Sequence, residues 1–212
     1  MTPLVQHSSL TSEHYSPAEI VEPGRRLFGG TIDLDPASCA LANETVRATR
    51  FYTREEDGLT RPWFGRVWLN PPGGKDEGGS VQKAWWWRVA RAWALGEIEQ
   101  AIFVCFNLGL LQTTQLERPS GLNIPLDFPI CFPAKRIPYN IAEEPDGKSG
   151  QPSLFAELAP APSVKSGTQP PGASAFVYLP PRLSSVAFIK GPRAFQREYS
   201  PIGQCVWTRE DW

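Results

Sequence analysis

The sequence has little with which to hold a metal. Its two histidines, His7 and His14, lie near the N-terminus with no Cys or His at ligand spacing. The four cysteines, Cys39, Cys105, Cys131 and Cys205, are far apart and form no CxxC pair. Zinc sites draw on close ligand pairs and secreted disulfide frameworks are denser, so all four read as free thiols, mostly packed in strands. No structural metal is indicated. There is no apolar run of about 18 residues to span a bilayer. The start, Met1 to Ser8, lacks the charged and apolar segments of a signal peptide, and cytoplasmic residence is the expectation. Nor is there an excess of one charge, for the net charge is -1. A protein that grips DNA mainly through phosphates usually carries a basic stripe. Here Arg47, Arg50, Arg54 and Arg61 alternate with Glu44, Glu55, Glu56 and Asp57. Composition neither supports nor excludes nucleic acid.

What the chain does have is length, proline and tryptophan. Its 212 residues suffice for one domain, 1–212, with a sizeable core. Ser16-Pro17-Ala18-Glu19 reads as a helix start, with Ser16 as N-cap and Glu19 closing a capping box. That helix runs to Leu27, weakened by Pro23-Gly24 and stopped by Gly29-Gly30. Thr31 to Asp35 alternates as a strand ended by Pro36. A helix over Ala37 to Val46 and a short strand at Arg50 to Thr53 follow. Arg66 to Leu69 is the next strand, and a glycine-rich loop runs from Pro71 to Gly79. From Ser80 to Glu99, Trp86, Val89, Ala90 and Trp93 recur at helical steps. Ala101 to Phe106 is an apolar run typical of a strand buried on both faces. Strand, helix and strand in this order imply a parallel pair with a right-handed crossover, the unit of an α/β sheet.

Beyond Asn107 the texture changes. Glu143 to Gly172 reads as a long surface loop. Ala175 to Leu179 and Val186 to Ile189 read as a terminal antiparallel strand pair, and Gln204 to Trp207 as a further strand.

Ligands of an open α/β sheet collect outside the carboxyl ends of its strands. Asn70 sits at such an end, and Pro71 and Pro72 stiffen the backbone behind it. This suits the activation of an exocyclic amine, whose lone pair is delocalised into its ring. An Asn side-chain oxygen and the following proline carbonyl can accept both amine hydrogens. The nitrogen then turns tetrahedral and its lone pair is freed to attack an electrophilic methyl. No strong base is required, and rigidity matters, because misplacement by about 1 Å can cost on the order of a hundredfold in rate. An isolated Asn-Pro-Pro is more often a strand-terminating turn. Here the strand before it, the glycine loop and helix after it, and acidic residues upstream change that balance.

The chain from His14 to Pro72 resembles the phage-type DNA N6-adenine methyltransferase family. The likeness rests on Tyr15-Ser16-Pro17, Asp33-Leu34-Asp35-Pro36-Ala37-Ser38, Arg50-Phe51-Tyr52-Thr53, Asp57-Gly58-Leu59, Trp63 and Val67-Trp68-Leu69-Asn70-Pro71-Pro72, in that order and spacing. It continues more weakly through Lys83-Ala84-Trp85, the Phe103 strand, Phe132-Pro133 and Arg136-Ile137-Pro138. The resemblance implies an α/β, Rossmann-like S-adenosylmethionine-dependent fold, with a mixed sheet flanked by helices and antiparallel strands at the C-terminus. It implies transfer of a methyl group from S-adenosylmethionine to adenine N6 in DNA, and a phage or prophage origin. Asp35-Pro36-Ala37-Ser38 would lie by the cofactor's methionine part and Asp57 by its adenine amine; Glu55 and Glu56 are alternatives to Asp57, and one of them would reach the ribose hydroxyls. Asn70-Pro71-Pro72 would hold the target amine, and Ser16-Pro17 would belong to an element closing over the cofactor. The region after residue 120 would read DNA, with Arg136 and the C-terminal arginines as contacts.

Two departures from the family pattern stand out. No glycine-rich fingerprint marks the first cofactor loop. More importantly, the aromatic residue expected after Pro72 is replaced by Gly73, so another ring must stack on the base. Trp68, Trp85, Trp86 and Trp87 are the candidates. Successive helical positions diverge by about 100°, so the three successive tryptophans are not expected to face one core. Lys75 and Lys83 could meet phosphates. The alternatives are an N4-cytosine or non-DNA amino methyltransferase, or an inactive nucleic-acid-binding relative.

Overall fold

The structure, a computed structural model, describes residues 14–76, 79–142, 164–168, 173–182 and 185–207. The N-terminal dozen expected to be loose, most of the expected loop over 143–172, and Arg209 lie outside the described residues.

Helix α1, Ala18–Leu27, starts one residue later than expected. Pro17 occupies the cap position in extended backbone, and no side chain caps the helix, so Ser16 is not the N-cap. Its hydroxyl is buried elsewhere, as described below. Pro23 lies inside α1, which carries through it and packs on the C-terminal helix α5, Ser185–Tyr199. There the Tyr199 hydroxyl donates to the Ile20 carbonyl at 3.1 Å.

Strand β1 is only Leu34–Asp35, followed by α2, Ala40–Val46, and β2, Arg50–Phe51. Strand β3 is Arg66–Leu69, as the apolar run predicts. The glycine-rich segment after it folds into a small ribbon of β4, Lys75–Asp76, and β5, Gly79–Ser80. Helix α3, Val81–Leu95, ends at Gly96 in the left-handed conformation, φ 73°. Strand β6, Gln100–Cys105, then pairs parallel with β3, Leu69 opposite Phe103. Helix α4, Gly109–Leu116, was not anticipated. Next come β7, Ile130–Pro133, then β8, Tyr139–Ala142, which pairs with β9, Val164–Thr168, inside the segment expected to be loop. Strand β10, Ala175–Leu179, lies antiparallel between β6 and β7. The expected strand at Val186 to Ile189 is instead the first part of α5, so the terminal strand pair is corrected. Strand β11, Gly203–Val206, closes the edge beside β7.

The result is an α/β protein whose seven-stranded mixed sheet runs β11-β7-β10-β6-β3-β1-β2. Strands β2, β1, β3 and β6 are parallel. Each face has its own core. Ala101, Phe103 and Cys105 of β6 point to the α3 side, and Ile102 and Val104 to the side of α1 and α5. Both faces are covered, which is why β6 reads as an unbroken apolar run. From β1 the chain moves outward to β2, then returns to place β3 on the other side and β6 beyond it. The topological switch point therefore lies between β1 and β3, where such a sheet opens a crevice at its carboxyl ends. Among the described residues no helix is long and apolar enough to cross a membrane.

Candidate active site

The two aspartates of Asp33-Leu34-Asp35 flank Leu34 and have opposite fates. Asp33 makes a bidentate ion pair with Arg66, Oδ2 to Nε at 2.7 Å and Oδ1 to an Nη at 2.8 Å. It also accepts from the Arg66 backbone N–H at 2.8 Å. These bonds hold its carboxyl below the usual range and staple β1 to β3. Asp35, at the carboxyl end of β1, has no cationic partner among the described residues. It is only 2% exposed, and burial pushes its carboxyl up to about 7. The Ala37 N–H donates to it at 3.3 Å, which offsets part of that shift. The Ser38 hydroxyl lies beside it and favours the charged form, but its geometry falls short of a hydrogen bond.

Asp35 opens onto a cleft of about 1030 Å³ over the switch point. Pro36, Ala37 and Ser38 line it after β1, and Asn70, Pro71 and Pro72 line it after β3. The side-chain Nδ2 of Asn70 donates to the His14 carbonyl at 2.8 Å. That tether turns the amide so that Oδ1 is the atom left for a ligand, and Oδ1 accepts nothing among the described residues. The strap that carries His14 is itself anchored: Tyr15 N–H donates to the Asn140 carbonyl at 2.7 Å, and Asn140 N–H to that of Tyr15 at 3.0 Å. Ser16 also lines the cleft, buried, its hydroxyl without a partner among the described residues. Pro17 stands behind it at the start of α1 and does not line the cleft.

Asp57 reaches the cleft from the loop after β2. It is exposed and left-handed, φ 54°, and its Oδ1 accepts from the Leu59 N–H at 3.2 Å. This is the Asp-Gly turn chemistry of short polar side chains. Glu55 and Glu56 do not line the cleft. Glu56 is committed to closing its own loop, pairing with Arg50 and accepting from the Thr53 N–H at 2.9 Å.

Gly58 fits the two loops together. A Cβ there would lie 1.8 Å from the Pro36 carbonyl oxygen and 3.1 Å from the Trp85 ring. The residue is glycine because another backbone passes against it. Gly58→Ala should therefore part the two loops, at a cost of about 2–3 kcal/mol, the upper range for overpacking. Urea unfolding would measure this, and an unchanged midpoint would contradict the packing described.

The tryptophans need correction. Trp68 cannot face a ligand in this cleft: alternation along β3 sends it to the α1 side, fully buried beside Ile102 and Tyr199. Trp87 packs half-buried on the α3-side core and does not reach the cleft. Trp85 does line it, though largely covered, stacked on Trp63 with ring centroids 6.2 Å apart. Contrary to expectation, Trp85, Trp86 and Trp87 all meet one core. Trp86 packs edge-on against Phe103 and Phe128, while Trp85 meets Trp63, so the core wraps around α3 on several sides.

Sequence reasoning missed Phe106, Asn107 and Leu108 at the cleft, beyond the carboxyl end of β6. The rule that singled out the ends of β1 and β3 applies equally to β6, and would have found them. Of the cations considered, Lys83 is paired with Glu117. Arg182 donates to the Trp93 carbonyl at 3.1 Å and stacks on the Trp93 ring. Lys75, Arg136 and Arg193 are exposed. All four cysteines are free; Cys105, Cys131 and Cys205 are buried in strands, while Cys39 caps α2 through its sulfur. Compared with protein-family models, curated proteins and solved structures, the chain finds no match.

Proposed function

We propose that the chain is an S-adenosylmethionine-dependent methyltransferase acting on an exocyclic amine, with adenine N6 in DNA as its target. The observation that carries this reading is the Asn70 amide at the switch point, its nitrogen engaged by the His14 carbonyl and its oxygen left to accept. The Rossmann-like sheet, with its parallel half opening at β1 and β3, agrees with the family that the sequence resembles.

The cleft suits the cofactor on three counts. Its volume is at the upper end of ligand pockets, enough for a cofactor and a ring together. The Ser16 and Ser38 hydroxyls are buried without partners among the described residues, and such groups normally find one. Asp35 is a buried carboxyl without a cation, a poor arrangement unless a cationic ligand joins it. Asp35, Ser16 and Ser38 would hold the methionine end, and Asp57 the adenine amine.

When bound, the cofactor would supply an electrophilic methyl on a sulfonium, with the neutral thioether as leaving group, and the amine's surplus proton would pass to solvent. Asn70 Oδ1 and the Pro71 carbonyl accept the two amine hydrogens and free the nitrogen lone pair. The prolines hold both acceptors still, which is where most of the advantage lies. Lys75, beside the loop, and Arg136 would meet DNA phosphates.

Titration calorimetry with S-adenosylmethionine tests the reading. Binding should raise stability by about 2.7 kcal/mol at a hundredfold excess over Kd. No heat and no thermal shift would contradict it.

A further inference from the structure

Gly73 follows Pro72, and its backbone gives no reason for glycine, since it is not among the residues with left-handed φ. Its neighbour does. A Cβ at 73 would lie 3.1 and 3.3 Å from Cε2 and Cζ of Phe106, and among the described residues beyond its chain neighbours no other side chain comes within 4 Å. Phe106 is the first residue beyond β6, which runs parallel beside β3. Its ring is half-buried and lines the cleft. An aromatic ring therefore arrives beside the Asn70-Pro71-Pro72 loop from the next strand, in the space a side chain at 73 would enter.

We propose that Phe106 is the stacking face for the planar ring whose amine Asn70 holds, and that glycine at 73 is what admits it. The inference rests on the amino-methyltransferase reading. The two acceptors at Asn70 and Pro71 meet the amine at the edge of its ring, within the ring plane. Edge contacts leave the ring able to rock about that edge. A base drawn out of a duplex has also lost its stacking neighbours and needs a flat partner. Trp68 is on the far face of the sheet, Trp87 does not reach the cleft, and Trp85 is stacked on Trp63 next to Gly58. His14, Tyr15 and Tyr139 also line the cleft, but Phe106 is the ring that abuts Gly73, directly after the amine-holding tripeptide.

The test uses the full chain, tritiated S-adenosylmethionine and genomic DNA free of N6-methyladenine. Phe106→Ala should lower kcat/KM for DNA by roughly tenfold to a hundredfold, the range for losing one stacked base. Cofactor affinity by calorimetry should stay within about twofold, and Phe106→Tyr should keep most of the activity. Gly73→Tyr alone should impair transfer. The double variant Phe106→Ala with Gly73→Tyr should recover most of what Phe106→Ala loses, which a merely structural role would not produce. A Phe106→Ala protein within twofold of the parent, or a double variant that binds cofactor yet is no better than Phe106→Ala, overturns the inference while the function stands. Should the parent transfer no methyl at all, the functional reading fails. A single-stranded oligonucleotide carrying 2-aminopurine then decides for Phe106: quenching by the parent but not by Phe106→Ala supports the stacking face, and equal fluorescence with both overturns it.

Discussion

Asn70→Ala should lower methyl transfer by roughly a hundredfold to a thousandfold, the effect of removing one preorganised polar group from a transition state. S-adenosylmethionine affinity should stay within about twofold. The two expectations separate because, on the proposed reading, Asn70 would meet the target amine whereas Ser16, Asp35 and Ser38 would meet the cofactor. The tether to His14 sharpens this further. Asn70→Asp keeps an acceptor at Oδ1 but sets its second oxygen against the His14 carbonyl, now 2.8 Å from the amide nitrogen. That repulsion should displace the acceptor, leaving activity between the parent and the alanine variant. Single-turnover kinetics with cofactor in excess would measure both. A large loss of cofactor binding in Asn70→Ala would mean that the amide belongs to the cofactor's site, not the amine's.

The second large effect concerns Asp35 and pH. Its ordinary value is 3.8, and in the folded chain it titrates at about 7 because burial penalises the charge. Between those values the folded protein holds a proton that the unfolded chain has released. Stability from this group must therefore fall as pH rises from about 4 to about 7, and stay low above that. A gap of this size corresponds to about 4 kcal/mol. Asp33, Glu22 and Glu198 are held low by arginines and act in the opposite direction, losing stability as pH falls. The clean measurement is thus the difference between parent and Asp35→Asn at each pH. Asp35→Asn should be the more stable protein at pH 8, with the gap closing towards pH 4. A cationic ligand favours the carboxylate, so cofactor affinity in the parent should rise with pH through 7, and Asp35→Asn should lose that rise. Identical unfolding profiles for the two proteins would show that Asp35 carries no buried-charge penalty.

Much of this was readable from the chain because the decisive signals are local. Val67, Trp68 and Leu69 are apolar between Arg66 and Asn70, and β3 has those bounds. The run from Ala101 to Cys105 is apolar throughout because both faces of the sheet are covered there. What failed needed distant partners. Four apolar residues, Val186 to Ile189, cannot be told apart as strand or helix by periodicity alone, and the helix that forms runs through Gly191 and Pro192, both poor helix residues. The Ser16 hydroxyl looks like a cap in sequence but is buried in the cleft, since the strap is set by the Tyr15–Asn140 bridge far along the chain. The strand-end rule reaches Phe106 from sequence, but not its contact with Gly73. That contact comes from the pairing of β3 with β6, across a helix of 15 residues.

The central claim is that this cleft methylates an amine on a base. The most direct measurement is nucleoside mass analysis of unmethylated DNA incubated with the protein and S-adenosylmethionine, beside the Asn70→Ala variant. N6-methyldeoxyadenosine should appear with the parent and be all but lost with the variant. No methylated nucleoside above the protein-free control, or a methyl group found on carbon, would contradict the account.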